Sequence, residues 1–139
     1  MEDLICAIFL TFLLIISAVD FKTKMIYDKI LLPMMLAGIF FDVKGLLIPL
    51  DEGIFNAALG FFVMWTVFKI SRGGLGGGDV KFSAVLGFWL GDKLFSAILI
   101  ASISAAIVGI IIFLRTRNAK FELPFGPFLG IGAVIKFLC

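Results

Sequence analysis

The sequence predicts an all-α integral membrane protein, a bundle of about six transmembrane helices forming a single domain over residues 1–139. Composition is the first reason: the chain is 62% hydrophobic and 16% charged, with a mean hydropathy of +1.19, so its helices would be apolar on every face, which a soluble core cannot use. Length is the second. Apolar segments recur at lengths approaching the roughly 20 residues that cross a bilayer, and the chain has room for about six with short connections and no soluble domain. The third is that the basic residues gather in particular connections between those segments.

Leu4 to Val19 is the first span; its flank Met1-Glu2-Asp3 is acidic, where a secretory leader needs a positive one. Asp20 closes it, and residues 21–29 are a short polar connection. The second apolar segment runs from Ile30 to about Phe41 and on towards Leu50 past Asp42 and Lys44, with Pro33 and the charges making it short or bent. Asp51-Glu52-Gly53 reads as a turn. Ile54 to Ile70 is the third span, with Trp65 placed for an interface. A glycine run, Gly73-Gly74-Leu75-Gly76-Gly77-Gly78, ends in Asp79-Val80-Lys81 and leads to a short fourth span, Phe82 to Leu90, closed by Gly91-Asp92-Lys93. The fifth, Leu94 to Leu114, carries small residues suited to close helix packing: Ser96, Ala97, Ser102, Ser104, Ala105, Ala106 and Gly109. After the polar stretch 115–122, Leu123-Pro124-Phe125-Gly126-Pro127 leads into the last span, Phe128 to Leu138. There is no tandem repeat or linker.

Several function classes drop out. The chain has no histidine, and its two cysteines, Cys6 and Cys139, lie near opposite ends. The usual imidazole or thiolate zinc sites and His-based triads are therefore excluded, and no metal or other cofactor is expected. A net charge of +2 from scattered residues gives no footprint for a nucleic-acid partner. The seventeen phenylalanines read as lipid-facing and packing surface. The glycine run lacks the Gly-Lys-Ser/Thr ending of a phosphate-binding loop and has a carboxylate where phosphate would sit.

Orientation follows from charge. Lys22, Lys24, Lys29, Lys69, Arg72, Lys81, Arg115, Arg117 and Lys120, nine of the twelve basic residues, fall in the connections after spans one, three and five. Only Lys44, Lys93 and Lys136 fall opposite. By the positive-inside rule the first side is cytoplasmic and both termini are extracytoplasmic. Asp20 at the end of span one, Asp79 at the start of span four and the Pro124-Phe125-Gly126-Pro127 turn all return to that cytoplasmic side. Three separate features thus converge at one membrane level.

Two carboxyl groups a few Å apart cannot both ionise, so they share a proton and titrate as a unit. The ionised member can take a proton from water while the protonated member polarises a carbonyl, which is acid–base hydrolysis without metal or covalent nucleophile. Glycines beside the acids would let the backbone approach an extended substrate. A small proton- or cation-coupled transporter component using the same acids is the competing class; it favours acids near the midplane, whereas these sit at span ends. A purely structural assembly partner would leave the placement of Asp20 and Asp79 unexplained. As single residues, Asp28, Asp42, Asp51 and Asp92 read as boundary acids, and Lys22, Lys24 and Lys81 as topology anchors.

Gly76-Gly77-Gly78-Asp79 fits the GxGD signature of intramembrane aspartyl proteases. With Val80-Lys81 and the following Ala84-Val85-Leu86-Gly87-Phe88-Trp89-Leu90-Gly91, it resembles the type IV prepilin peptidase family. Asp20, with Lys22, Lys24, Ile26, Asp28 and Pro33 downstream, resembles that family's first catalytic motif, and Pro124 to Leu129 its last-helix motif. Tyr27 stands where the family often has proline. The resemblance implies a multi-pass enzyme of the cell membrane whose active site faces the cytoplasm. It would remove the short basic leader from prepilin-like substrates (pilins of type IV pili, pseudopilins or archaellins) that carry an apolar helix in the bilayer. It implies Asp20 and Asp79 as the catalytic pair, with Gly76, Gly77, Gly78, Lys81, Phe125, Gly126 and Pro127 positioning the substrate or shaping the site. Larger members carry an additional cytoplasmic domain with paired cysteines and N-methylate their product; cleavage without methylation is expected for this chain.

Overall fold

The computed structural model describes residues 1–23, 26–70, 77–117 and 125–138. Their elements are α1 (Glu2–Thr23), α2 (Asp28–Val43), α3 (Leu50–Ile70), α4 (Gly77–Leu90), a 3-10 turn (Gly91–Lys93), α5 (Leu94–Thr116) and α6 (Gly126–Leu138), with no strand among the described residues. Three helical stretches are long and apolar enough to cross a membrane: Glu2–Thr23 with 22 residues, Leu50–Ile70 with 21 and Gly77–Thr116 with 40. The all-helical membrane class is therefore met. The count of about six spans is not confirmed: α2 and α6 are shorter, at 16 and 13 residues, and α4 and α5 share one stretch. Gly73, Gly74 and Gly76, together with Lys24, Arg72, Lys120, Pro124 and Cys139, lie outside the described residues.

Local sequence accounts for most of the helix bounds. In α1, Glu2 and Asp3 in the first turn and Lys22 in the last complement the helix dipole. Its buried residues Ile5, Phe9, Leu13, Ile16 and Asp20 recur every three or four positions, so they form one inward stripe. Asp20 continues that stripe and is not an outward boundary acid. α2 passes through Pro33 and stops at Val43, just before Gly45 takes φ +71°, a conformation glycine adopts without penalty. The second segment therefore does not run on to Leu50. Asp51, Glu52 and Gly53 are not a turn; they lie in the first turn of α3, where the two acids meet the positive end of the dipole.

α4 is the buried centre of the bundle, with nine of its fourteen residues buried. It lies along α3 and also packs on α2 and α6, while α6 in turn packs on α5 and α1. Trp89 ties three helices together: its indole Nε1 donates to the Met34 carbonyl at 3.0 Å, and its ring stacks on Phe9 at 5.0 Å and meets Phe41 edge-on at 5.8 Å. The close crossings use small residues, with Gly87 against the Ala57 backbone and Gly132 against that of Ala97. Of the small residues expected to pack α5, Ala97 is buried, whereas Ser102 and Ala106 are exposed. The reason is the face: Ala97 and Ala101 pack against Gly132 of α6, and Ser102 and Ala106 lie on the other side of α5. Trp65 is half-exposed with the Lys69 ammonium 5.4 Å from its ring centre, an arrangement suited to an interface.

Candidate active site

Asp20 is 4% exposed at the inner end of the α1 stripe. Its Oδ2 accepts a hydrogen bond from the backbone N–H of Gly126, the first residue of α6, at 2.8 Å. A helix start has unpaired N–H groups and a positive dipole end, and here they face a carboxylate. Gly126 is required for steric reasons too: a Cβ there would fall on the Asp20 carboxyl group, 2.9 Å from Cγ and in direct contact with Oδ2. Pro127 follows as the second residue of α6, where its missing N–H costs nothing.

Asp79, 6% exposed, is the third residue of α4, so an acid occupies the first turn of that helix as well. The turn it sits on is held from within, since the Ser83 hydroxyl donates to the Asp79 carbonyl at 2.8 Å. It is flanked by buried Val80 and Phe82. Because α6 packs on both α1 and α4, the helix that donates to Asp20 also borders the helix that carries Asp79.

The other residues expected at the site divide by environment. Gly78 lies against Ile26, where a Cβ would come within 2.9 Å of the Ile26 Cβ. Gly77 faces open space, with nothing within 4 Å of such a Cβ, so packing does not require glycine there. Lys81 points to Asp28. Phe125 packs on the hydrophobic core just before α6 begins. Gly76 lies outside the described residues.

Two apolar grooves run up to this region. One, of about 530 Å³, lies between α2, α3 and α4 and is lined by Leu31, Met35, Phe61 and Val85, with Asp28, Lys29 and Lys81 at one end. The other, of about 520 Å³, lies between α1 and α6 and includes Ser17, Pro127 and Gly130. The first has charges of both signs at its end; in the second, Ser17 is the polar side chain.

Two acids read from the sequence as boundary residues are more than that. Asp28 carries the partner carboxylate of Lys81. Asp42 is 4% exposed, its Oδ1 accepting from the Ile48 N–H at 3.3 Å and its Oδ2 close to Gly53. The available signal was the spacing of Asp42 from Leu31, Met34, Gly38 and Phe41, which share its buried face of α2.

A buried carboxylate with a backbone donor on one oxygen, together with an acid on an adjoining helix start, is a donor and acceptor set that acid–base chemistry can use. Comparison with known proteins gives the family. A family model described as the type IV leader peptidase family matches residues 7–113. The prepilin leader peptidase/N-methyltransferase of Aeromonas salmonicida (strain A449) is 34% identical over 142 residues, covering 96% of this chain and 49% of its own length. The protein of the same name from Burkholderia pseudomallei (strain 1026b) is 39% identical over 128 residues, covering 86% of this chain and 41% of its own. That from Pseudomonas aeruginosa (strain PAO1) is 37% identical over 134 residues, covering 91% and 46%. The chain thus spans about half the length of the curated relatives it matches. No solved structure matches it.

Proposed function

The chain belongs to the type IV leader peptidase family, and on that premise we propose that it is an intramembrane aspartyl endopeptidase that removes the leader peptide from prepilin-like precursors. Asp20 and Asp79 are its catalytic pair. One carboxylate takes a proton from the attacking water while the other, protonated, polarises the scissile carbonyl; the proton then passes to the leaving amine. No covalent enzyme intermediate is required.

The observation that carries this reading is the environment of Asp20. Leaving a carboxyl group 4% exposed on the core face of an apolar helix is costly, and this one accepts from the start of a helix 106 positions away in sequence. Asp79 supplies the second acid on a helix that shares α6 as neighbour.

In this reading the 40-residue stretch Gly77–Thr116 makes two crossings. At 1.5 Å per residue it would be about 60 Å long, twice the roughly 30 Å hydrocarbon core, and Gly91, with φ +59°, turns the chain between α4 and α5. With α1, α2, α3 and α6 this gives six crossings, so both acids return to one side, which the bias of the basic residues assigns to the cytoplasm. The substrate's apolar helix docks from the bilayer into the groove between α2 and α4. That groove has apolar walls formed by Leu31, Met35, Phe61 and Val85, which matches a substrate segment that is apolar within the membrane.

The test is co-expression in membranes with a prepilin carrying a basic leader. Leader removal is expected for the wild type and for Asp92→Asn, and is expected to vanish for Asp20→Asn and for Asp79→Asn. A wild type inactive on several pilin-like substrates, or an Asp20→Asn variant that still cleaves, overturns the reading.

A further inference from the structure

The Lys81 ammonium lies 3.1 and 3.2 Å from the two carboxylate oxygens of Asp28, joining the fifth residue of α4 to the first residue of α2. Both side chains are exposed, at 57% and 70%, and an ion pair in that setting adds little to folding free energy. Its consequence is geometric. Three residues before Lys81, Gly78 meets Ile26 so closely that a Cβ would lie 2.9 Å from the Ile26 Cβ and 3.2 Å from its carbonyl oxygen. The N-terminal end of α4 is thus held at two points, Gly78 and Lys81, to Ile26 and Asp28, and Asp79 lies between them. Ile26 follows Thr23, the last residue of α1, by three positions, and α1 carries Asp20 on its final turn. The turn needs outside support, because Gly77 and Gly78 are poor helix formers.

We propose that Asp28 and Lys81 are positioning residues: their ion pair, with the Gly78–Ile26 contact, fixes the helix turn that carries Asp79 relative to the end of the helix that carries Asp20. The proposal rests on the reading of those acids as the catalytic pair. Neither Asp28 nor Lys81 touches the reacting atoms. The relative placement of two acid–base groups governs turnover steeply, since displacements near 1 Å can cost on the order of a hundredfold in rate. The pair therefore acts on kcat through geometry while leaving substrate affinity to the groove walls.

The test compares wild type, Lys81→Met, Asp28→Asn and the charge exchange Asp28→Lys/Lys81→Asp, each reconstituted in lipid. Two readouts are taken: amide hydrogen exchange along α4, and kcat and KM for leader removal from a purified prepilin. Each single variant is expected to speed exchange of the first hydrogen-bonded amides of α4, from Lys81 onward, about fivefold while leaving Trp89 and its neighbours protected. Each is also expected to lower kcat about tenfold with KM changed by less than about twofold. The exchanged pair is expected to recover both readouts to within about 1.5-fold of wild type. Unchanged exchange and kcat in the single variants overturn the proposal, as does a folded charge-exchange variant that recovers neither. A wild type that cleaves no prepilin removes the peptidase reading, and the exchange measurement then decides the clamp by itself.

Discussion

The backbone N–H of Gly126 donates to Asp20 Oδ2 at 2.8 Å, joining the first residue of α6 to the last turn of α1 across 106 positions of sequence. Two requirements meet at residue 126: a free amide at a helix start and the absence of a side chain. Gly126→Ala meets only the first, because its Cβ falls on the Asp20 carboxyl group. Leader cleavage by this variant is expected to fall by about tenfold to a hundredfold, with a stability loss of about 1–3 kcal/mol in denaturant unfolding. A wild-type rate from Gly126→Ala would show that the contact does not matter to catalysis.

Asp42 is the counter-case, a buried acid at the other end of the bundle. Its Oδ1 accepts from the Ile48 N–H in the turn between α2 and α3. Asp42→Asn keeps an acceptor of the same shape, so unfolding free energy is expected to stay within about 0.5 kcal/mol of wild type; Asp42→Ala strands the Ile48 N–H and is expected to lose about 1–3 kcal/mol. Both should cleave normally where they are folded. A loss of cleavage in Asp42→Asn would assign this acid a functional role in place of a structural one.

Substrate docking predicts a crosslinking pattern. In a Cys6→Ser/Cys139→Ser background, Met35→Cys and Phe61→Cys, on the walls of the α2–α3–α4 groove, should form disulfides with cysteines placed along the apolar helix of a prepilin. Leu14→Cys and Ile131→Cys, on the α1–α6 groove, should not. The reverse pattern would move the docking face to the other side of the molecule.

Topology is open to a direct check. Single cysteines at the Gly45 turn and at Asp92 are expected to react with an impermeant thiol reagent added outside intact cells, and one at Arg117 only after the membrane is opened. Labelling at Arg117 from outside would invert the orientation and put Asp20 and Asp79 on the wrong side for a cytoplasmic leader.

Much of this molecule is written in its sequence. Composition and segment length determine an all-helical membrane protein, since a chain this apolar has no soluble alternative. The motifs around Asp20, Asp79 and Gly126 resemble those of the family whose model matches residues 7–113. Segment bounds were legible where a strong breaker stands: Gly91 closes α4 as the glycine predicted. They were misread where acids or glycines continue a helix. Asp51-Glu52-Gly53 became the first turn of α3, and α4 reaches back to Gly77, because acids stabilise a helix start and neighbouring helices supply what glycine lacks.

Only the tertiary structure decided which acids face inward and what they meet. In helices apolar on all sides, hydropathy barely distinguishes the buried face from the lipid face, so Asp42 and Asp28 looked like boundary residues. Packing sets Asp42 beneath the turn after α2 and gives Asp28 to Lys81. The same limit applies to Asp20: its residue type was readable, but its partner was not. A hydrogen bond between the end of the first helix and the start of the last depends on how α1, α4 and α6 pack, and no local pattern in the chain encodes that.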